Sequence, residues 1–418
     1  MIVKTGKLPL PLMALVAILS LSLVVNLPGL AITPMLGTLA QVFPDTTQLD
    51  KQLLTMLPNL LIIPCLLLSG RLSLSHHKIA VVVTALCIYA VCGVLYLVAD
   101  SMAQLIVISC LLGVGAGLLI PFSTGLLADT FAGSYRMRQM GLQSAISNMT
   151  LVCATYVVGW LSHGDWHLPF VVYLIPVIPL VLARWLRKIP AEDLYDSCDS
   201  SQPTADPACK PEAVAASGKS RNGYIVGRLV AIIGVYFFVT YATIVVSYYC
   251  PFLVEKEHWS SSLTGTITAV YFLFIFLPGF LLPQIIKVLQ GRTLVVSAVA
   301  IVAGLALFAF VRTEWAMIAG AALMGAGYGT FQPVLYNKAT FTVTNPSKST
   351  MALALVLIAN YGAIAVTPVI IDGFRSLLHA QNVTAFAFIL NFVISVAFLI
   401  VAIVFRRSFA FRTGSDVD

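Results

Sequence analysis

Nine uncharged polar side chains interrupt the apolar stretches of this sequence: Asn26, Asn59, Asn148, Tyr241, Tyr271, Tyr328, Gln332, Asn360 and Tyr361. Amides and phenols hold and orient a solute by hydrogen bonding and stacking; they supply no metal ligand and no strong acid. Each also has a plainer use, because such a group inside a membrane gains ~1 kcal/mol by bonding a neighbouring helix. Charge stays away from these positions. None of the 17 acidic residues falls in the middle of an apolar run, and neither does any His or Arg. A charge at the bilayer centre costs ~2.5–3.5 kcal/mol on insertion scales and marks function where it occurs. A strongly cationic ligand asks for a buried carboxylate, and an organic phosphate for a buried Arg. The pattern therefore points to a neutral or amphipathic organic solute.

The elements that must position these groups follow from composition. Hydrophobic residues make up 59% of the chain and charged ones 10%, with a mean hydropathy of +0.95. A soluble domain carries ~25% charged residues. A chain this apolar cannot cover itself with polar surface in water, so it is expected to be an all-α protein of the lipid bilayer. Spans of ~20 residues are needed to cross, and twelve runs qualify. They lie near 11–35, 52–72, 79–99, 103–128, 139–161 and 168–187, then near 228–254, 263–288, 293–311, 315–338, 349–371 and 384–405. The first run follows Lys4 and Lys7 but is too long for a cleaved signal peptide.

Lys and Arg sit in short clusters between the runs, which argues for membrane topology and against nucleic-acid binding. With the N-terminus in the cytoplasm, only Lys51, Lys256, Arg312 and Arg375 of the 24 basic residues fall outside. Both termini are thus expected on the cytoplasmic side of a multi-pass cell (plasma or inner) membrane protein. Residues 190–224 are polar and rich in Pro, Ser and acids, a cytoplasmic linker between a unit of residues 1–189 and one of 225–418. Most of the eight Cys lie in apolar runs; Cys198 and Cys209 lie in the linker without a zinc-site spacing. No metal and no cofactor is expected.

One pattern occurs twice. "GVGAGLLIP" at 113–121 and "GAGYGTFQP" at 325–333 both read Gly-x-Gly-x-Gly-x-x-x-Pro, 212 residues apart. At 100° per residue Gly113 and Gly117 share a face while Gly115 points roughly opposite, so the helix is bare on two sides. Gly325, Gly327 and Gly329 repeat this, and Pro121 and Pro333 favour a bend. The same offset aligns Asn148 with Asn360. The chain reads as a duplicated six-helix unit.

A parallel duplication of this kind resembles the major facilitator superfamily, and the resemblance spans essentially the whole chain. "SGRLSLSHHK" is similar to the family's loop after the second helix, keeping Gly70, Leu72 and Lys78. "LADTFAGSYRMRQMGLQSA" is similar to its fourth-helix end and following loop, with Asp129, Arg136, Arg138 and Gly141. "DWHLPFVVYLIP" is similar to the start of its sixth helix. The chain departs where the loop's Asp, Arg and second Gly are Leu74, Ser75 and His77, where the fourth helix's Arg is Ser109, and where the fifth helix lacks the antiporter Gly-Pro.

The resemblance implies twelve transmembrane helices in two six-helix bundles, working by alternating access. The first, fourth, seventh and tenth helices would face a central cavity, bringing Asn26, Tyr241, Tyr328 and Gln332 to it. Gly70, Arg71, Asp129, Arg136 and Arg138 would form a cytoplasmic gate, with Arg71 equally readable as a solvated loop charge. The function implied is that of a bacterial drug-efflux-like transporter, a monomer exporting a small-molecule substrate against protons. Uptake or facilitated diffusion of a neutral metabolite and translocation of a lipid or lysolipid are the alternatives. No nucleotide-binding glycine loop and no catalytic cluster supports an enzyme.

Overall fold

The computed structural model describes residues 2–3, 10–28, 39, 42–43, 48–73, 78–161, 165–186, 220–221, 224–257, 259, 261–311, 313–344, 348–378, 383–406 and 408–411. Most of the 190–224 linker, with Cys198 and Cys209, and the loop positions Leu74, Ser75 and His77 lie outside these residues. The first half contains α1 (Leu12–Ser20), α2 (Gln48–Leu72), α3 (Lys78–Tyr96), α4 (Met102–Thr130), α5 (Gly133–Leu161) and α6 (Val177–Leu186). A 3-10 turn over Leu168–Leu174 precedes α6. The second half contains α7 (Val226–Lys256), α8 (Ser261–Phe280), α9 (Thr293–Phe310), α10 (Glu314–Thr340), α11 (Ser349–Leu377) and α12 (Val383–Val404).

Several boundaries differ from the hydropathy reading: α1 ends at Ser20, the sixth run divides into a 3-10 turn and α6, α11 runs on to Leu377, and two further differences have a clear backbone cause. The eighth run does not continue to 288: α8 stops at Phe280, and a separate short helix, Leu282–Leu289, opens with Pro283 in its first turn. A proline has no N–H to give and so fits a helix start better than its interior. The fifth helix starts at Gly133, because Phe131 and Ala132 suffice to turn the chain once Gly133 takes a φ of 53°. Arg136 and Arg138 therefore stand on the first turns of α5 and not in a loop. Among the described residues, eight helical stretches are long and apolar enough to cross a membrane by length and composition. The helices α5 and α10 are long enough but are diluted by polar residues such as Gln143, Ser144, Asn148, Gln332 and Asn337.

The two halves repeat each other in detail. Ser101 caps α4 by accepting from the Gln104 N–H, and Thr313 caps α10 by accepting from the Ala316 N–H, at an offset of 212. In the first half α4 packs against α2 and α3; in the second, α10 packs against α8 and α9. A methyl group at Gly113 would come within 2.6 Å of the Pro58 carbonyl oxygen, and one at Gly117 within 2.5 Å of Cys65 Cβ, both on α2. One at Gly115 would meet Ala85 O of α3 at 3.3 Å. In the second half Gly325 abuts the Tyr271 carbonyl and Gly329 would meet Ile275 Cα at 2.8 Å, both on α8. Gly327 would meet Ser297 O of α9 at 2.6 Å, and Ser297 stands 212 residues after Ala85. Both helices run unbroken through Pro121 and Pro333.

The halves meet chiefly through α2 with α11 and α5 with α8, and also through α4 with α11 and α5 with α10. At one end Gly70 abuts Met351 and Ala354, Gly125 abuts Thr350, and Gly141 abuts Gly279 and Leu282. This end carries Lys78, Arg136, Arg292 and Lys338 and is called the basic end below. The last described turn, residues 408–411, closes there too. Phe409 accepts a hydrogen bond from Lys338 Nζ at its carbonyl, while its ring lies 4.6 Å from Arg228 and 5.0 Å from Lys338. Phe411 is buried beside Phe398 of α12.

Candidate functional site

At mid-depth a continuous set of hydrogen bonds crosses from one half to the other. Asn26, just past α1, donates to Asn148 Oδ1 on α5 (3.4 Å), and Asn148 Nδ2 donates to the Ser144 carbonyl one turn back (2.8 Å). The Ser144 hydroxyl donates to Gln332 Oε1 on α10 (2.7 Å), bridging the halves. Gln332 Nε2 then donates to the hydroxyls of Tyr336 (3.2 Å) and Tyr236 (3.4 Å). Tyr236 also meets Tyr336 (2.9 Å) and Tyr328 (3.3 Å), and Tyr328 donates to Asn360 Oδ1 (3.2 Å). Thr240 of α7 donates to the same oxygen (2.9 Å).

The proton order in this chain is fixed by its end. A carboxamide oxygen only accepts, so Tyr328 must spend its single proton on Asn360. Tyr236 must then donate to Tyr328, and Tyr336 to Tyr236. The result is a relay polarised in one direction, in which each bond strengthens the next. Tyr236 lies nearly parallel to Tyr328, 6.4 Å between centroids, and edge-on to Tyr336 at 5.6 Å. Tyr236 is fully buried, whereas Asn26, Tyr328 and Gln332 keep part of their surface accessible.

Five of the nine expected polar residues thus come together: Asn26, Asn148, Tyr328, Gln332 and Asn360. Tyr361 is buried on α11 next to Asn360. Asn59 lies half-buried on α2 beside Pro58. Tyr271 is buried on α8, at the contact with Gly325. Tyr241 sits in the second half's core against Phe238, with a buried hydroxyl that finds no partner. Four network members were not among the expected residues: Ser144, Tyr236, Thr240 and Tyr336. A spacing of four residues joins Tyr328, Gln332 and Tyr336, and another joins Tyr236 to Thr240, so helix faces could have found them.

At the basic end Asp129 pairs with Lys78 Nζ at 2.9 Å, both side chains almost fully buried. Arg71 and Arg138 are exposed. Arg136 donates to the Phe131 carbonyl and to Thr340 Oγ1 on α10, each at 2.8 Å, and lies over the Phe341 ring. Arg136 to Thr340 is a second polar tie between the halves. Ser109, where the family pattern has Arg, shares a 2.6 Å hydrogen bond with Tyr96 and sits in the first half's core. At the opposite end the His167 N–H and ring hold Asp165, and these bonds keep its carboxyl below the usual range.

The model of the Major Facilitator Superfamily matches residues 12–368. The chain belongs to the major facilitator superfamily. Its fold is shared with two solved members. The human organic anion transporter MFSD10 (TETRAN) aligns with a TM-score of 0.70 at 16% identity, covering 92% of this chain and 100% of that one. The proton:xylose symporter XylE, bound to 6-bromo-6-deoxy-D-glucose, aligns with a TM-score of 0.67 at 15% identity, covering 96% of each. The multidrug transporter protein MdtP of Bacillus subtilis (strain 168) is 27% identical over 123 residues, which is 29% of this chain and 23% of that protein's length. As a facilitator this is a multi-pass membrane protein of secondary transport, and its family consists of transporters that bind small molecules.

Proposed function

We propose that this facilitator moves a small neutral or amphipathic organic compound by alternating access, as proton-coupled efflux. The observation that carries the reading is the uncharged relay from Asn26 to Asn360, which ties both halves together at mid-depth where a solute must be held. Below it the halves touch through Gly70, Gly125, Gly141 and Arg136, a closed basic end. Excess Lys and Arg mark that end as cytoplasmic, with both termini there and residues 190–224 linking two six-helix units in a plasma membrane. Export as the direction rests on the likeness to a multidrug transporter over 123 residues. Proton coupling is assigned to Asp129: neutralising its carboxylate removes the attraction that holds Lys78 in a buried site, and so loosens the gate.

The test is loss of a fluorescent amphipathic dye from proteoliposomes under an imposed pH gradient. The rate is expected to rise with the gradient and to lose that dependence in Asp129→Asn. A rate unaffected by collapsing the gradient overturns proton coupling. It favours the second reading, facilitated diffusion of a neutral metabolite, which one observation supports: the relay contains no carboxylate and no imidazole.

A further inference from the structure

Duplication gives the two halves the same amide at the same place, but the two amides are used differently. In the first half both ends of the Asn148 amide are engaged: its oxygen accepts from Asn26 and its nitrogen donates to the Ser144 carbonyl. In the second half both bonds of Asn360, from Thr240 and Tyr328, fall on Oδ1. Among the described residues its Nδ2 donates to nothing, and that nitrogen is not among the buried unsatisfied atoms, so it keeps some accessible surface. The surrounding positions diverge in the same sense. Subtracting 212 from Tyr236, Tyr328 and Gln332 gives Val24, Ala116 and Ile120, which are apolar and buried. The first half therefore has no counterpart of these polar groups at the matching positions.

We propose, building on the transport reading above, that the substrate is a neutral amphipath that presents a hydrogen-bond acceptor to Asn360 Nδ2. A ketone, ester, amide or ether oxygen fits this role, seated beside the ring of Tyr328. Its remaining part is apolar. The polarised relay sharpens the choice. Tyr336, Tyr236 and Tyr328 have each committed their proton within the protein, so the second half offers its spare N–H groups through Asn360.

The experiment uses three probes with one skeleton: 1-phenylheptan-1-one, n-heptylbenzene and 1-phenylheptan-1-amine. Binding is measured by competition against the tritiated ketone, on the full chain in nanodiscs, after subtracting uptake by protein-free discs. The wild type is expected to bind the ketone roughly three- to tenfold more tightly than the hydrocarbon, the span of one net hydrogen bond. Asn360→Asp keeps an acceptor for Thr240 and Tyr328 but replaces the donor with a carboxylate oxygen. It is expected to lose the ketone preference and to favour the ammonium form of the amine. Asn360→Leu, which serves if the Asp variant does not fold, is expected to bind ketone and hydrocarbon alike. No saturable ketone binding, or a ketone preference retained in Asn360→Leu, overturns the proposal. Binding and movement are read separately: correct selectivity without dye movement in proteoliposomes refutes transport alone, and dye movement without ketone preference refutes this inference alone.

Discussion

Lys78 and Gln332 represent two ways of placing polar atoms in an apolar interior. Lys78 carries charge, and its buried partner Asp129 compensates it at 2.9 Å. Removing one member deprives the other, buried charge of this ion pair, a loss of about 3–5 kcal/mol, whereas replacing both with apolar residues is often neutral. Lys78→Met is therefore expected to lower thermal stability in detergent sharply, and Lys78→Met with Asp129→Leu to recover most of it. A double variant no more stable than the single would show that the pair is not the cause. Little of this was legible beforehand. Charge clustering at the helix ends places Asp129, Lys78 and Arg71 together, but it does not say which cation turns inward, since that depends on how α2, α3 and α4 pack. Gln332, by contrast, stands out in the sequence as a polar group in an apolar run, and the structure places it in the hydrogen-bonded relay. The tyrosines around it were obscured: a buried Tyr on a membrane helix looks the same whether it packs or bonds.

Helices α4 and α10 owe their placement to missing side chains. Gly117 and Gly329 leave no room for a methyl group against the backbones of α2 and α8. Overpacking a tight contact costs about 1–3 kcal/mol, so Gly117→Ala and Gly329→Ala are expected to reduce the unfolding temperature. Gly234 on α7 has nothing within 4 Å of a Cβ, and Gly234→Ala is expected to be neutral or to stabilise by about 0.5–1 kcal/mol. Equal effects at all three sites in one thermal-unfolding series would reject close approach as the reason for the glycines. Hydropathy located nearly every helix because the bilayer sets span length. It missed the break after Phe280 and the early start of α5, since both turn on a single residue's backbone: the missing N–H of Pro283 and the positive φ of Gly133.

The whole molecule is caught with its basic end shut. Gly70 and Met351 meet there from opposite halves, so a disulfide between Gly70→Cys and Met351→Cys is expected to stop dye movement in proteoliposomes, with full recovery on reduction. Undiminished movement in the oxidised protein would mean that this end need not open. The two-fold plan behind the closure was readable from the glycine repeat and the Asn148–Asn360 offset alone. The same offset shows that the halves have drifted apart in chemistry, since Val24 stands where the second half has Tyr236. The anchoring of Phe409 and Phe411 has a practical side for anyone handling the protein. An affinity handle or fluorescent reporter joined directly after Phe411 would tug on an aromatic plug pinned by Arg228 and Lys338. Fusions should therefore be placed after residue 418, and trimming the chain back to Val404 should lower the yield of well-folded material.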